Sequence, residues 1–345
     1  MARRLLWAAL ALAPLTIIVD YAVHPSNVLL FALSALALIP LAWLIGEATE
    51  QTAEHTGARI GALLNASFGN APEVIIALFA VADQLPNVVR GSLAGSIISN
   101  LLLVLGAALI FGEESKIDLR ALLVQVGLVF VAVALLLIPS IPGWHGDSER
   151  HSLVLLSIGP AALLLVVYLV ITTLGVRARA RPTEAPSSGT WSLPVAIAAL
   201  AVATLATAFV SEILVHSLKD FADAAGLTQF FISIVIVAIV GNAAEHGGAV
   251  VIARRGKMRL ATDIAVSSSA QVGLFVVPVV LLLSLAFAHP LTLAFRPIEL
   301  LTMGMAAVAS GGVFYDGCAR RWEGALLVAI YAVMVIAFGF TADRS

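Results

Sequence analysis

The chain has 345 residues, of which 61% are hydrophobic and 12% are charged, and its formal net charge at pH 7 is −2. Soluble proteins carry about 25% charged residues, and a mean hydropathy of +1.04 lies far above their range. This composition excludes a soluble globular domain and predicts a polytopic membrane protein with no nucleic-acid partner. A single cysteine, Cys318, excludes an intrachain disulfide and a thiolate metal site.

Apolar stretches between charged or Pro/Gly-rich breaks predict eleven transmembrane helices, and the predicted fold class is all-α. Their predicted bounds, in chain order, are 5–23, 27–46, 60–82, 91–112, 121–138, 153–175, 193–215, 227–253, 264–286, 298–314 and 324–340. The remaining residues are too few for a soluble domain. All five tryptophans lie near the ends of these stretches, as interfacial aromatic residues do.

The first stretch resembles a signal peptide, but no small-residue cleavage site follows it, so we predict a retained helix. With the N-terminus inside, the inner segments hold fourteen lysines and arginines and the outer segments hold five. This asymmetry predicts a cytoplasmic N-terminus. The short loops suit a bacterial inner membrane, and an organellar membrane is the alternative.

Two similar motifs, GNAPE at 69–73 and GNAAE at 241–245, each place a carboxylate inside an apolar stretch. Five predicted spans separate the third helix from the eighth, so the two helices cross the membrane in opposite directions. Glu73 and Glu245 each lie about 14 to 15 Å from a membrane surface, near the midplane. A charge there costs about 2.5 to 3.5 kcal/mol on insertion scales, which indicates a functional site.

The motifs predict two inverted five-helix repeats that follow an additional first helix. The predicted segments are a first helix at 1–26, an N-terminal repeat at 27–176, a cytoplasmic linker at 177–190 and a C-terminal repeat at 191–345. Each repeat also supplies a carboxamide after its acid, because Asn100 follows Glu73 by 27 residues and Gln271 follows Glu245 by 26. Inverted repeats with a midplane site are typical of secondary transporters.

The candidate cation- and proton-binding residues are Glu73, Glu245, Asn70, Asn242, Asn100, Gln271, Ser99 and Ser269, with Glu73 and Glu245 as the charged metal ligands. Carboxylate and amide oxygens favour a hard cation such as Ca²⁺ over Zn²⁺ or Cu²⁺. Interhelical hydrogen bonding is the alternative role for the carboxamides and serines. Glu47, Glu212 and His246 are possible gate residues, and solvated helix ends or packing are the alternatives.

The strings GNAPEVIIALFAV and IVGNAAEHGGAVVIA, with the flanking NLLLVLG and SSAQVGLFVVPV, resemble the repeats of the cation/proton exchanger family within the calcium/cation antiporter superfamily. The resemblance implies a fold of eleven helices and export of Ca²⁺ from the cytosol in exchange for protons. It also places Glu73 and Glu245 at the family's central acidic positions. The linker here is basic, whereas members of the family often carry an acidic stretch between the repeats.

Other functions stay open at this point. A Na⁺-coupled exchanger of the same superfamily and an exchanger of another divalent cation, such as Mn²⁺, use similar ligands. An intramembrane metal-dependent enzyme is less consistent with the chain, which contains no HExxH motif, and we predict a transporter rather than an enzyme. Ca²⁺ and H⁺ are expected as transported ions without a resident cofactor, and the sequence does not determine the oligomeric state.

Overall fold

The computed structural model describes residues 2–178 and 191–343, and most of their backbone is helical. The helices of the first half are α1 (Ala2–Ala9), α2 (Leu12–Val23), α3 (Asn27–Phe68), α4 (Ala71–Ala82), α5 (Pro86–Ser99), α6 (Leu105–Phe111), α7 (Leu119–Gly143) and α8 (His151–Ala178). Those of the second half are α9 (Leu193–Ala225), α10 (Gln229–Phe231), α11 (Ala238–Gly241), α12 (Ala243–Arg254), α13 (Met258–Gln271), α14 (Val277–Ser284), α15 (Pro297–Val313) and α16 (Arg321–Gly339).

In the described ranges 2–178 and 191–343, three π-helical segments join consecutive helices. They are π1 (Asn100–Val104) between α5 and α6, π2 (Ile232–Val237) between α10 and α11, and π3 (Val272–Val276) between α13 and α14. Two short strands, β1 (Ser115–Lys116) and β2 (Cys318–Ala319), pair antiparallel and join the loop before α7 to the loop before α16. The sequence analysis did not predict these strands.

Within the described residues, eight helical segments are long and apolar enough to cross a membrane. A ninth is the pair Gln229–Gly241 and Glu245–Arg254, which is bent by 56° at the second motif. Helices α4 and α15 are apolar but shorter, with 12 and 17 residues. The predicted all-α membrane fold is thereby confirmed. The count of eleven spans requires both short helices to cross and remains a prediction.

The predicted loop between the second and third helices is wrong, because helical backbone runs from Asn27 to Phe68. This segment is nevertheless not a straight rod. A Cβ built on Gly61 would lie 2.9 Å from the Cβ of Ala53, whereas residues eight apart in a straight helix are separated by about 12 Å. The chain therefore folds back within α3 through helical turns.

Several helices extend beyond their predicted ends. Helix α9 reaches Ala225 rather than residue 215, α5 begins at Pro86 rather than 91, and α13 begins at Met258 rather than 264. The prediction relied on apolar side chains, which mark only the part of a helix that lies in an apolar environment, whether protein or lipid. Backbone hydrogen bonding continues through the polar turns beyond it.

The two motif regions share one structural register. The series α4, α5 and π1 has the same segment lengths as the series α12, α13 and π3, and each pair of segments is offset by 172 residues. This register aligns Glu73 with Glu245, as predicted. It aligns Gln271 with Ser99 rather than Asn100, because one residue turns a side chain by about 100° around a helix. The two carboxamides are therefore not equivalent.

The predicted division of the chain at 26, 176 and 190 remains a prediction. Residues 179–190 of the predicted linker lie outside the described part of the chain.

The core of the molecule is formed by two repeat-related spans. In the spans 86–111 and 258–284, 83% and 67% of the most apolar window is buried, compared with 11% to 50% in the other long spans. The surrounding helices expose large apolar side chains such as Leu123, Val166 and Leu205, which suits a lipid environment. The two central spans carry four of the eight predicted binding residues: Ser99, Asn100, Ser269 and Gln271.

Arg90 lies at the start of the central helix α5 and is almost completely buried. Its guanidinium forms an ion pair of 2.7 Å with Glu149 and hydrogen bonds with the backbone and side chain of Thr292. The predicted helix begins at residue 91, whereas α5 begins at Pro86 and carries Arg90 into the protein. This cluster holds one end of α5 against two loops.

Candidate cation site

Both GNA motifs interrupt a helix at their asparagine. Asn70 precedes α4 with φ −104° and ψ 16°, and Asn242 precedes α12 with φ −93° and ψ 9°. These nearly identical values fall in the sparsely populated bridge region of the backbone map. Glu73 and Glu245 consequently occupy the first turns of the new helices. The positive end of each helix dipole therefore lies beside a carboxylate.

The asparagine side chains do not cap their own helices but bond across the repeats. Asn70 Nδ2 donates to Gln271 Oε1 at 3.2 Å, and Asn242 Nδ2 donates to Ser96 Oγ at 2.7 Å. Asn100 Nδ2 in turn donates to Asn242 Oδ1 at 3.2 Å. The four predicted carboxamides thus form two pairs, and each pair joins the N-terminal half to the C-terminal half.

The two acids approach each other between the repeats. Glu73 is buried, and a Cβ built on Gly241 would lie 3.5 Å from its Cγ, so the glycine of the second motif packs against the acid of the first. The carboxylates of Glu73 and Glu245 are close enough to repel each other. Ser268 lies beside the carboxylate of Glu245 and lines the same cavity. The predicted pairing of these acids is therefore present in the geometry.

Three buried oxygens at this junction have no hydrogen-bond partner among the described residues: Glu73 Oε2, Glu245 Oε2 and Asn100 Oδ1. Roughly 90% or more of buried polar groups in native proteins have one. Carboxylate and amide oxygens are the ligands that hard cations take in flexible geometry. In the described part of the chain, no group of three His, Cys, Asp or Glu side chains is placed to hold a metal ion. The donor set fits a hard cation better than zinc.

The serines divide into two kinds. Ser99 donates to the Ser96 carbonyl and Ser269 to the Ile97 carbonyl, each at 3.3 Å, so both predicted hydroxyls are directed to backbone. Ser96 and Ser268, which the 172-residue register aligns, instead line the surroundings of the acids. Ser92 also lines the surroundings of Glu73 and was missed. The sequence could have indicated Ser92, because it lies one helical turn before Ser96 and therefore on the same face of the helix.

Access to the two acids is unequal. Glu245 lines a cavity of about 510 Å³ together with Glu47, Glu50, Ser268 and Gln271, which we call the Glu245 cavity. Glu73 lines a pocket of only about 10 Å³ with Ser92, Ser96 and Gly241, among others. The site is therefore open on the side of Glu47, in the middle of α3, and enclosed around Glu73.

The other predicted gate residues, Glu212 and His246, do not line the cavities that contain the acids. Glu212 lines a separate cavity of about 170 Å³ with Asp20, Asn27 and His216, and neither motif acid lines it. His246 lines neither the Glu245 cavity nor the Glu73 pocket, and its Nε2 has no hydrogen-bond partner within the described residues. Glu47 is thus the gate candidate that shares a cavity with a motif acid.

The π-helical segments coincide with the carboxamides. Segment π1 begins at Asn100, and π3 begins directly after Gln271. A π-helical turn contains an extra residue and often occurs at functional sites. Both central spans therefore change helical geometry at the level of the site.

Comparison with known proteins gives the same picture of the whole chain. The family model described as "Sodium/calcium exchanger protein" matches residues 26–176 and 195–340. A relative from Bacillus subtilis (strain 168), named Ca²⁺/H⁺ antiporter ChaA, is 37% identical over 340 residues, which is 94% of this chain and 95% of the relative. A Ca²⁺/H⁺ antiporter from Aphanothece halophytica is 34% identical over 92% of this chain and 91% of its own.

Solved structures agree with the sequence relatives. The Ca²⁺/H⁺ antiporter protein YfkE superposes with a TM-score of 0.83 and 33% identity over 98% of this chain and 100% of that chain. A second structure, the H⁺/Ca²⁺ exchanger CAX, has a TM-score of 0.74 at 16% identity and shows the shared fold. The chain is an integral membrane protein and belongs to the sodium/calcium exchanger protein family.

Proposed function

We propose that this chain exports Ca²⁺ from the cytosol in exchange for protons by alternating access, with Glu73 and Glu245 binding either the cation or protons. The observation that carries the proposal is the meeting of two carboxylates, one from each motif, each with a buried oxygen that has no donor among the described residues. The names of relatives at 37% and 34% identity support Ca²⁺ and H⁺ as the exchanged ions.

Charge balance explains why such a site exchanges ions rather than leaks them. One Ca²⁺ or two protons neutralise the two carboxylates, whereas the empty site carries two negative charges in a low dielectric. At about 2.5 to 3.5 kcal/mol per charge, occluding the empty site costs about 5 to 7 kcal/mol. This cost suppresses the switch of the empty form by about 10⁴-fold. Only loaded forms change sides.

Unequal access supports alternating access. The Glu245 cavity corresponds to a state that is open on the side of Glu47, which is the cytoplasmic side by the distribution of lysine and arginine. We place the protein in a bacterial inner membrane with a cytoplasmic N-terminus. In the opposite state the Glu212 cavity would extend to Glu73, so Glu47 and Glu212 are the proposed gate residues on the two sides.

A reversible pH gradient tests the exchange directly. With the purified chain in proteoliposomes, an imposed gradient should drive Ca²⁺ toward the more acidic compartment, and reversal of the gradient should reverse the flux. Two protons per Ca²⁺ make the cycle electroneutral, so clamping the membrane potential should change the initial rate little. Protein-free vesicles with the same gradient are the control.

The alternatives give different results in the same assay. Ca²⁺ uptake that ignores the pH gradient and follows a Na⁺ gradient would replace proton coupling with sodium coupling. Equal rates with Mn²⁺ would widen the substrate to hard divalent cations. A clear dependence on voltage would add a third proton to the cycle.

The carboxamides provide a separate prediction. Asn100→Ala removes a buried oxygen that has no donor among the described residues, so Ca²⁺ binding should weaken about ten-fold, equivalent to about 1.4 kcal/mol. Gln271→Ala should weaken binding less, because Gln271 Oε1 already accepts from Asn70. Isothermal titration of the detergent-solubilised protein measures both, and the melting temperature is recorded in parallel.

Asn87→Ala is the matched control for these variants. Asn87 accepts a hydrogen bond of 2.9 Å from the buried Arg90 away from the acids, so this change should lower the melting temperature and leave Ca²⁺ affinity unaltered. If Asn100→Ala behaves like Asn87→Ala, the carboxamide serves packing rather than cation binding.

A further inference from the structure

A second cavity reaches the central site from another direction. It measures about 770 Å³, lies between α7, α8 and α13, and is lined by Gln125, Thr172 and Asp263 among others. We call it the α13 side cavity. It shares Ile264, Ser267 and Gln271 with the Glu245 cavity, so the two cavities meet along one wall of α13.

Three polar residues mark this wall. Asp263, Ser267 and Gln271 are spaced by four residues along α13 and therefore lie on one face of the helix. At about 1.5 Å per residue, the stripe runs about 12 Å from Asp263 to the end of α13. The stripe ends at Gln271, which accepts a hydrogen bond from Asn70 of the first motif.

The first repeat has no such stripe. The 172-residue register places Gly91, Gly95 and Ser99 of α5 at the equivalent positions. There α5 packs so closely against π2 and α11 that a Cβ on Gly95 would overlap the carbonyl oxygen of Ile234 and lie 2.7 Å from the Cβ of Ala238. If the two repeats had identical roles in the exchange cycle, both would be expected to carry an acid here. Only the second repeat does, because Asp263 corresponds to Gly91 of the first. Asp263 therefore distinguishes α13 from its counterpart α5.

The two cavities also differ in charge. The charged residues that line the Glu245 cavity, Glu47, Glu50 and Glu245, are all acidic. The titratable residues that line the α13 side cavity are Asp118, Arg120, Tyr168 and Asp263. Asp118 pairs with Arg259 at 2.5 Å, and the Ala121 N–H together with this guanidinium lowers the pKa of Asp118. A divalent cation is thus attracted to the Glu245 cavity far more strongly than to the α13 side cavity.

We propose that the α13 side cavity is a proton path separate from the Ca²⁺ path, and that Asp263 is its proton-accepting residue. This inference rests on the proposed function. A proton that leaves the carboxylic acid of Glu245 passes along water and hydroxyl groups at Ser267 to the carboxylate of Asp263, and from there to bulk water. Ca²⁺ enters through the Glu245 cavity, because the charged residues that line that cavity are all acidic.

Two flux measurements on the same proteoliposomes test this separation. The first is Ca²⁺ uptake driven by a pH gradient, and the second is Ca²⁺/Ca²⁺ exchange with radioactive Ca²⁺ and no gradient, which requires no proton movement. Asp263→Asn should slow the first about ten-fold or more, as loss of a proton-transfer group does, and leave the second close to wild type. Intact Ca²⁺/Ca²⁺ exchange also demonstrates that the variant is folded and inserted.

A second variant decides the matter if Asp263→Asn does not insert. Gln125→Leu places an apolar side chain in the α13 side cavity without touching the Glu245 cavity, and it should also slow only the proton-coupled mode. Val124→Leu is its matched control, because Val124 is 57% exposed at the rim of the same cavity.

The outcomes separate this proposal from the proposed function. Equal losses in both flux modes would place Asp263 and Gln125 on a common path and overturn the separate proton path. Unchanged fluxes in both variants would also overturn it. Wild-type protein that shows no proton-coupled uptake would instead refute the proposed function itself.

Discussion

Replacement of Glu73 or Glu245 by glutamine is expected to abolish Ca²⁺/H⁺ exchange. Each substitution keeps the size of the side chain but leaves one negative charge to balance a divalent cation. An uncompensated charge at membrane depth costs about 2.5 to 3.5 kcal/mol, which corresponds to a loss of roughly 70- to 400-fold before the lost ligand is counted. The glutamine also cannot exchange a proton at neutral pH. Initial rates of Ca²⁺ uptake in proteoliposomes measure the effect.

The same variants should not be less stable than wild type. The two carboxylates repel each other, and one oxygen of each has no hydrogen-bond partner in the described structure, so the amide removes repulsion. Without Ca²⁺, the melting temperature in detergent should stay equal or rise. Glu114→Gln, in the exposed loop after α6, is the control and should change neither property. Near-normal transport in Glu73→Gln or Glu245→Gln would contradict the site assignment.

Gly95→Ala is expected to impair both stability and transport, because α5 contacts π2 and α11 at this position. The added methyl group would overlap the Ile234 carbonyl oxygen and lie 2.7 Å from the Cβ of Ala238, so backbone must move. Overpacking of this kind typically costs about 1 to 3 kcal/mol. The hydrogen bond between Asn242 and Ser96 spans the same contact at 2.7 Å. The melting temperature and the initial rate of Ca²⁺ uptake should therefore both be lower than in wild type.

Gly159→Ala in α8 is the matched control for Gly95→Ala. A Cβ on Gly159 would meet no atom within 4 Å, so the substitution should be neutral or stabilise the helix by up to about 1 kcal/mol. A Gly95→Ala protein with wild-type melting temperature and transport would show that α5 does not require this close contact.

The sequence by itself determined the class of the protein and the acids at its centre. Apolar stretches of spanning length can only be accommodated as helices in a bilayer, so composition was sufficient for the fold class. Glu73 and Glu245 were recognisable because a carboxylate at membrane depth is costly and recurs here in two similar motifs. The repeated spelling also predicted that the two asparagines occupy matching positions, and their backbone angles agree closely.

Other features depended on tertiary contacts. The register that aligns Gln271 with Ser99 follows from helix and π-segment boundaries, which depend on hydrogen bonding that apolarity does not report. The orientation of Ser96 and Ser268 toward the acids, and of Ser99 and Ser269 toward backbone, depends on helix rotation. The openness at Glu245 and the enclosure of Glu73 depend on how closely α5 and α13 pack against their neighbours. That packing depends on contacts between side chains 142 or more residues apart, such as the Asn100–Asn242 pair. A local sequence pattern therefore cannot predict it.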